Sequence, residues 1–231
     1  FGEVNGKRGS WGHAIGGMGA ITQAMAREAA RLGVHIELDA PVRRVLTRHE
    51  AERRIASGIE LEDGRVFEAP RIAANIGPKP LFLSLLDADD LPADFRAHIE
   101  RFRAGSATFR MNVALAAPPR FAARRTRADD AHLASGILIA PSLRYMDRAF
   151  ADARLHGVSR QPVVEMLVPS MLDDSLAPPG AHVASLFCQH FDYQLPDGRS
   201  WQDDAERDAA ADLVIDTVDA LAPGFRASVL G

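Results

Sequence analysis

The sequence predicts a mixed α/β (α+β) fold, because segments with helical and with strand periodicity alternate along its 231 residues without a repeat. Apolar residues recur at steps of three or four between residues 18 and 32, as on one face of a helix. They recur at every second position between residues 107 and 115, as in a strand with one apolar face. With 47% hydrophobic residues, the chain can bury a sizeable core.

The first predicted helix opens with the glycine-rich run Gly16-Gly17-Met18-Gly19. Gly33 stands where a residue with positive φ commonly ends a helix, and the alternation over 34–38 then predicts a half-buried strand. The apolar stripe of this helix comprises Met18, Ile21, Met25, Ala29 and Leu32.

A small antiparallel excursion is predicted next. Residues 42–46 begin a strand, and residues 59–61 lead into Asp63-Gly64, a pair that suits a tight hairpin turn. Residues 72–74 are typical of a short buried strand, and Pro78 closes it because proline cannot continue a central ladder.

Residues 81–86 then predict a short apolar helix, and Pro92 suits the first turn of another. The second helix would present three apolar side chains on one face, namely Phe95, Ile99 and Phe102. Residues 107–115 follow as the clearest strand, with a second face that is largely polar.

Three further strands are predicted at 137–139, 163–168 and 183–191, which gives a mixed, mostly antiparallel sheet. A helix between the first two is expected to face inward with Leu143, Met146 and Phe150. A final helix begins at Ser200, with Asp203 three residues on in an arrangement close to a capping box. We expect the buried face of this helix to consist of Leu213, Ile215, Val218 and Leu221.

The order of these elements resembles the second half of the FAD-binding domain in flavin oxidoreductases of the phytoene desaturase and amine oxidase superfamily. The residues that carry the resemblance are Gly16 to Gly19, Val34 to Leu38, Pro41-Val42, Asp63-Gly64 and Ala74-Asn75. The rest of the chain is similar to the phytoene desaturase-like branch with a pyridine nucleotide-disulfide oxidoreductase domain, through Trp11-Gly12, Pro178-Pro179-Gly180 and Ala222 to Phe225.

The resemblance implies two domains: residues 1–78 as the second part of an FAD-binding domain and residues 79–231 as a substrate-binding domain. It implies an enzyme in which FAD accepts a hydride from an apolar or amine-like small molecule, while the protein supplies orientation and a dry cavity. The alternative from a different class is a non-catalytic binding or interaction module on the same scaffold. Substrate identity, electron acceptor, catalytic residues and oligomeric state stay open.

The sequence departs from the superfamily at the motif that binds the FAD diphosphate, which we call the diphosphate grip. Such an enzyme opens with a strand, Gly-x-Gly-x-x-Gly and a helix, but after Gly17 and Gly19 the third glycine position holds Thr22. A P-loop reading fails as well, because Phe1 and Arg8 stand where glycine and serine or threonine belong. No C-terminal glycine-rich flavin segment follows. We therefore expect a central fragment that lacks both terminal parts of its polypeptide, is inactive alone and binds little FAD.

Four residues are candidates for cofactor binding. In the resembled superfamily, the residue at the Val42 position approaches the adenine end of FAD through its main chain; a valine packed in a core is the other reading. Asn75 would lie at a neighbouring strand end, where an asparagine also serves simply to satisfy a turn. Gly16 and Gly17 would let the helix start close to the flavin domain, although tight packing alone also demands glycine.

Metal and acid-base sites are not expected. Period two would place His182, Cys188 and His190 on one face of a strand, but His182 is too far along it to share an ion with the other two. Adjacent aspartates point apart in a strand, so capping and turn formation explain the doubled pairs better. These pairs are Asp89-Asp90, Asp129-Asp130, Asp173-Asp174 and Asp203-Asp204.

The composition limits the classes of partner and the cellular compartment that we expect for this chain. The net charge of -4 gives no reason to expect nucleic acid, and we interpret the cluster Arg120, Arg124, Arg125 and Arg127 as a solvated loop. Cys188 is the single cysteine, and no apolar run approaches the length of a membrane span or a signal peptide, so we expect a cytoplasmic protein. The scarcity of lysine, with Lys7 and Lys79 as the two examples, indicates a GC-rich bacterial coding sequence.

Overall fold

A computed structural model describes residues 3–4, 6–9, 12–51, 53–103, 105, 108–123 and 130–231. Several residues of the sequence analysis lie outside these ranges. They are Trp11 of the family resemblance, residue 107 at the start of the clearest predicted strand, Asp129, and the arginines at 124, 125 and 127.

The described residues fall into two compact units, one from residues 1–28 with 105–231 and one from residues 29–104. The chain begins in the first unit with a short antiparallel pair, β1 (Glu3–Val4) and β2 (Lys7–Arg8). The predicted division after residue 78 assigns a cofactor role and a substrate role rather than packing contacts, and it stays a prediction.

Helix α1, Met18–Arg31, confirms the first predicted helix. Gly33 has a φ of +82° and ends the helix as expected. Its amide donates to the Ala30 carbonyl at 3.0 Å, and the Val34 amide donates to the Ala29 carbonyl at 3.0 Å. These two hydrogen bonds are the Schellman arrangement, which satisfies carbonyls that the helix end would leave unpaired.

The apolar stripe of α1 is not buried. None of its residues is buried, and Met18 and Met25 are 69% and 67% exposed. The predicted strands at 34–38 and 72–74 are wrong for this chain, because neither segment pairs with another strand among the described residues. A strand is stable only beside a partner that takes its hydrogen bonds, and alternation of side chains does not supply one.

The second unit is built around a three-stranded antiparallel sheet with strand order β3-β4-β5. The strands are β3 (Val42–Glu50), β4 (Arg53–Leu61) and β5 (Val66–Glu68). Asp63-Gly64 forms the turn between the last two, and Gly64 has a φ of +86°, so the predicted hairpin is confirmed.

The second unit also contains several helical segments. A π-helical turn covers Pro80–Ser84, and helix α2 covers Ala93–Arg101. Phe82 and Phe95 meet edge to face, with ring centroids 5.0 Å apart. Of the three apolar residues expected on one face of α2, Ile99 is buried, whereas Phe95 and Phe102 keep more than a third of their surface exposed.

The first unit contains a four-stranded sheet with strand order β6-β9-β8-β7, in which every pair is antiparallel. The expected, mostly antiparallel sheet is therefore observed. Its strands are β6 (Thr108–Leu115), β7 (Ile137–Ile139), β8 (Val158–Leu167) and β9 (His182–Phe191). Its helices are α3 (Leu143–His156), α4 (Asp204–Asp219) and α5 (Phe225–Ser228).

One face of this sheet forms the core of the first unit. Alternate side chains of β6, β8 and β9 pack with α4 and α5, as period two requires. The predicted final helix is present, but it begins at Asp204 rather than at Ser200, because Asp203 caps it by accepting a hydrogen bond from the Ala205 amide at 3.0 Å. Ile215 and Val218 are buried as predicted, Leu213 is half-buried, and Leu221 is exposed, so the expectation that Leu221 is buried is wrong.

Helix α3 is buried through a different part of its surface from the one predicted. Leu143, Met146 and Phe150 are exposed, Leu143 by 85%, while Ala149 and Ala153 are buried. Small residues allow α3 to pack closely along β8, whereas the larger apolar side chains keep much of their surface in solvent. The expectation that they face inward is therefore wrong.

The last residues of the chain lie along the outer edge of β6. The Leu230 amide donates to the Ala114 carbonyl at 2.8 Å, and the Ala114 amide donates to the Gly231 carbonyl at 2.7 Å. Val229 forms a bridge with Leu115 in the antiparallel sense.

Candidate functional site

The Gly16-Gly17 turn precedes α1 and uses backbone conformations that favour glycine. Gly16 and Gly17 have φ values of +83° and +77°. The Gly16 amide donates a hydrogen bond to Oδ2 of Asp173 at 2.6 Å, across 157 positions of the sequence. Both residues belong to the first unit. The turn is therefore attached to the segment that follows β8.

Packing gives a second reason for glycine in this turn. A Cβ atom at Gly17 would lie 3.3 Å from Cδ2 of Leu176, closer than most real contacts of this kind. The left-handed φ and this close approach account for glycine without any ligand. The role of Gly16 and Gly17 toward a cofactor stays a prediction.

The other two candidate cofactor residues belong to the second unit. Val42 is the first residue of β3, pairs with Leu61 of β4 and is half-buried. Asn75 is exposed in a stretch without regular structure, between residues 71 and 75. Both positions are compatible with the predicted roles, and neither role is tested by the fold.

The face of the four-stranded sheet opposite to α4 is partly open. We call it the open face and define it by Arg110, Leu138, Glu165 and Phe187, which are neighbours in register across all four strands. All four are exposed. Arg110 donates from Nη2 to Oγ of Ser185 at 3.2 Å on the same face. The face thus combines two apolar side chains with one cation and one carboxylate.

Cys188 is enclosed in the core of the first unit. It has no exposed surface, and burial raises the pKa of its thiol to about 12. A thiol in that state is neither a nucleophile nor a metal ligand at neutral pH. Cys188 is therefore a small core residue.

The expectation that His182, Cys188 and His190 share a face is wrong for His190. Phe191 rather than His190 joins the core with Cys188, so the alternation shifts by one residue near the end of β9. His190 packs edge to face on Phe150 at 5.4 Å, and partial burial lowers the pKa of its ring. At the other end of the strand, Nδ1 of His182 lies 3.3 Å from Oγ of Ser170. The residues that the structure describes contain no group of three potential metal ligands.

The doubled aspartates serve as caps and in an ion pair. Asp173 caps the short turn that follows it, and Asp203 caps α4, as predicted for such pairs. Asp90 pairs with Arg54, with 2.5 Å between Nη1 and Oδ1, and accepts a hydrogen bond from Thr47 at 2.9 Å.

Arg120 of the arginine cluster is exposed, and its other members lie outside the described residues. Within the described part, no helix is long and apolar enough to cross a membrane.

Comparison with known proteins defines the class of this chain. Residues 2–187 match the family described as flavin containing amine oxidoreductase. The match covers most of the sequence, and the chain belongs to this family. The family assignment made from the glycine-rich segment and the strands that follow is confirmed.

Two curated relatives match along the whole chain. Pyridine nucleotide-disulfide oxidoreductase domain-containing protein 2 of Mus musculus is 35% identical over 234 residues, and the protein of that name from Rattus norvegicus is 33% identical over 235 residues. The chain spans 40% of the length of each relative. A solved structure of an oxidoreductase from Methanosarcina mazei matches with a TM-score of 0.59 at 18% identity, covering 91% of this chain and 40% of that one. This last match supports the mixed α/β fold.

The family implies FAD in the complete protein, and the residues present fit only part of that cofactor. No Gly-x-Gly-x-x-Gly spacing is present to hold the diphosphate. The Gly16 amide, at the one glycine-rich helix start, already donates to Asp173. The cofactor roles of the other two candidates, the main chain at Val42 and the exposed Asn75, stay predictions.

The sequence did not predict the contact between Asp173 and Gly16, but it predicted part of the open face. The doubled aspartates drew attention to Asp173, but nothing in the sequence joins it to Gly16. The polar face of the strand over 107–115 was expected, and it contributes Arg110 to the open face.

Proposed function

We propose that this chain is the central part of an FAD-dependent oxidoreductase of the dehydrogenase, desaturase or amine oxidase type. The observation that carries the proposal is the match of residues 2–187 to the flavin containing amine oxidoreductase family. When bound, FAD supplies the acceptor for a hydride from an apolar or amine-like substrate. The roles assigned to residues of this chain are binding, orientation and exclusion of water.

On the cofactor side, we assign a main-chain contact near the adenine end of FAD to Val42 and a neighbouring position to Asn75. The half-buried start of β3 supports the first assignment, and the exposure of Asn75 supports the second. Gly16 and Gly17 contribute by fixing where α1 begins. The diphosphate would be held by residues outside this chain.

The exposed apolar surface of α1 and residues 34–38 supports a further part of the proposal. We assign this surface to contact with the missing N- and C-terminal parts of the same polypeptide. Val34, Ile36 and Leu38 are all exposed, and among the described residues they pair with no strand. Their alternation is nevertheless that of a half-buried strand. Covering such side chains is favourable, by about 25 cal/mol for each Å² of apolar surface removed from water.

On the substrate side, we assign the open face to the wall of the substrate chamber. Phe187 and Leu138 are large and exposed on this face, and an apolar substrate would cover them. Arg110 and Glu165 flank Phe187 in register and would orient a polar or charged end of the substrate.

The proposal is tested first by reading the gene sequence on either side of this chain. We expect the reading frame that contains this chain to carry, upstream, a strand followed by Gly-x-Gly-x-x-Gly and a helix. The product of that longer frame should purify with flavin absorbance at about one FAD per polypeptide, because the diphosphate grip is then present. Denaturing the purified protein and measuring the released flavin gives the stoichiometry.

Two outcomes would overturn the proposal. A reading frame that starts near Phe1 and encodes no diphosphate motif would point to the binding or interaction module instead. A longer product that contains the motif, folds and still takes up no FAD would contradict the flavin chemistry directly. A variant with the first glycine of the upstream motif changed to a bulky residue serves as the control for specific flavin binding.

We also propose a cytoplasmic location. The single cysteine, Cys188, excludes an internal disulfide, and a chain without one needs no oxidising compartment. Fractionation of the source cells would check this location.

A further inference from the structure

We propose that Asp173 is a positioning residue that fixes the Gly16-Gly17 turn, and with it the start of α1, to the segment after β8. The Asp173 side chain belongs to a residue that is only 3% exposed, which is unusual for a carboxylate. One oxygen, Oδ2, accepts the Gly16 amide at 2.6 Å. The other, Oδ1, accepts the Ser175 amide at 3.1 Å and the Ser175 hydroxyl at 2.6 Å.

A second contact supports the same attachment. Leu176, three positions after Asp173, lies against Gly17 so closely that a side chain at position 17 would touch it at 3.3 Å. The polar contact at Gly16 and the apolar contact at Gly17 hold adjacent residues of the turn to one short segment.

The charge on Asp173 suits this role. The hydroxyl of Ser175 is the main cause that holds the pKa of Asp173 below its ordinary value, and the amides of Gly16 and Ser175 and the ring of His13 add to it. The carboxylate is also close to the start of α1, where the helix dipole favours negative charge. Asp173 therefore stays charged at neutral pH and acts as the internal anion of the glycine-rich turn.

The consequence for function rests on the proposed oxidoreductase role. If α1 contacts the cofactor-binding part of the polypeptide, Asp173 determines where that helix begins relative to the sheet of the first unit. The Gly16 amide is then committed to Asp173 and not to a phosphate of FAD. Asp173 would act through α1, without touching the substrate.

The experiment uses this chain and follows the Gly16 amide by NMR. In the native chain we expect its proton shift to follow one carboxylate titration below about pH 4, as a hydrogen bond to Asp173 requires. In Asp173→Asn that titration should disappear. In Asp173→Ala, hydrogen exchange at Gly16 should accelerate about tenfold, as expected for loss of one hydrogen bond to a charged group. The matched control is Asp174→Asn, which removes the exposed neighbouring carboxylate and should change neither readout.

The proposal is overturned if the Gly16 shift does not titrate in the native chain, or if exchange at Gly16 is the same in Asp173→Ala as in the native chain. If Asp173→Ala does not fold, the titration in the native chain and in Asp173→Asn still decides. None of these readouts involves flavin. Absence of FAD from the longer protein would therefore contradict the proposed function and leave this test unaffected.

Discussion

Asp152 on α3 and Arg160 on β8 illustrate how single residues join two elements of the first unit. Nη2 of Arg160 lies 2.7 Å from Oδ1 of Asp152, and Nε lies 3.1 Å from Oδ2. These side-chain hydrogen bonds from Arg160 are the main cause that holds the pKa of Asp152 below its ordinary value. The pair therefore stabilises the fold above the unfolded pKa of about 3.9, and its contribution is lost as the pH falls through the lower folded pKa.

Replacing this carboxylate tests the sign of that dependence. Asp152→Asn should lower the free energy of unfolding at pH 7 by about 1 to 2 kcal/mol, toward the low end for charged hydrogen bonds because Arg160 is largely in solvent. The difference from the native chain should shrink below about pH 4. Urea unfolding at several pH values measures it. Asp147→Asn, at an exposed position on the same helix, is the control, and a difference that persists at low pH would contradict the prediction.

The backbone conformation of a glycine was easier to predict than a contact between residues that are far apart in sequence. Gly33 and Gly64 were expected to take positive φ from their immediate neighbours, and both do. The contact between Gly16 and Asp173 spans 157 positions and depends on how the first unit folds back on itself. No local pattern carries that information, which is why Asp173 was seen only as a capping residue.

At the scale of elements, β9 and α3 have similar apolar content but contribute differently to stability. Leu186 of β9 has no exposed surface and belongs to the core cluster, whereas Leu143 of α3 is almost entirely in solvent. The difference arises because β9 is a central strand with α4 on one face, and α3 packs through alanines.

This difference can be measured with matched substitutions. Leu186→Ala should lower the free energy of unfolding by about 2 to 5 kcal/mol, through lost burial and the cavity left behind. Leu143→Ala should change it by no more than about 0.5 kcal/mol. Thermal or urea unfolding of both variants checks the pair. Equal losses for the two variants would show that α3 is buried in solution.

The strands of the four-stranded sheet were predictable because each has its partners within the chain. The expected segments at 137–139, 163–168 and 183–191 all form strands of one sheet. The segments at 34–38 and 72–74 were predicted as strands as well, and they form none among the described residues. Periodicity reports which side chains are suited to burial, but strand formation needs hydrogen-bonding partners that these segments do not find here. The inward side of α3 was mispredicted for a related reason, since hydrophobicity alone does not say which face meets a neighbour.

For the molecule as a whole, the family was predictable from the order of its elements, although each element alone is weak evidence. Gly16 to Gly19, Pro41-Val42 and Asp63-Gly64 occur in the order of the family, and the match over residues 2–187 confirms the assignment. The division into packing units was not predictable, because residues 1–28 and 105–231 form one unit across a long insertion.

The whole chain makes one direct prediction about its cofactor. Incubated with excess FAD and then passed through a desalting column, it should retain little or no flavin, because the amides of a diphosphate grip are absent. Visible absorbance of the eluted protein is the measurement, and a product that contains the proposed upstream motif is the comparison. A stoichiometric yellow chain would contradict this expectation and would require a cofactor site made by these residues alone.

The C-terminal residues paired with β6 have a consequence for self-association. An outer strand with free amides and carbonyls is a template for a second molecule, and proteins limit this hazard by keeping such strands short or covered. Here residues 228–231 occupy the end of β6, and the opposite border is β7, which is only three residues long. Association of the purified chain through the borders of this sheet is therefore disfavoured, and a detergent that covers exposed apolar helix surfaces such as that of α1 should suppress aggregation more than substitutions on β6 or β7.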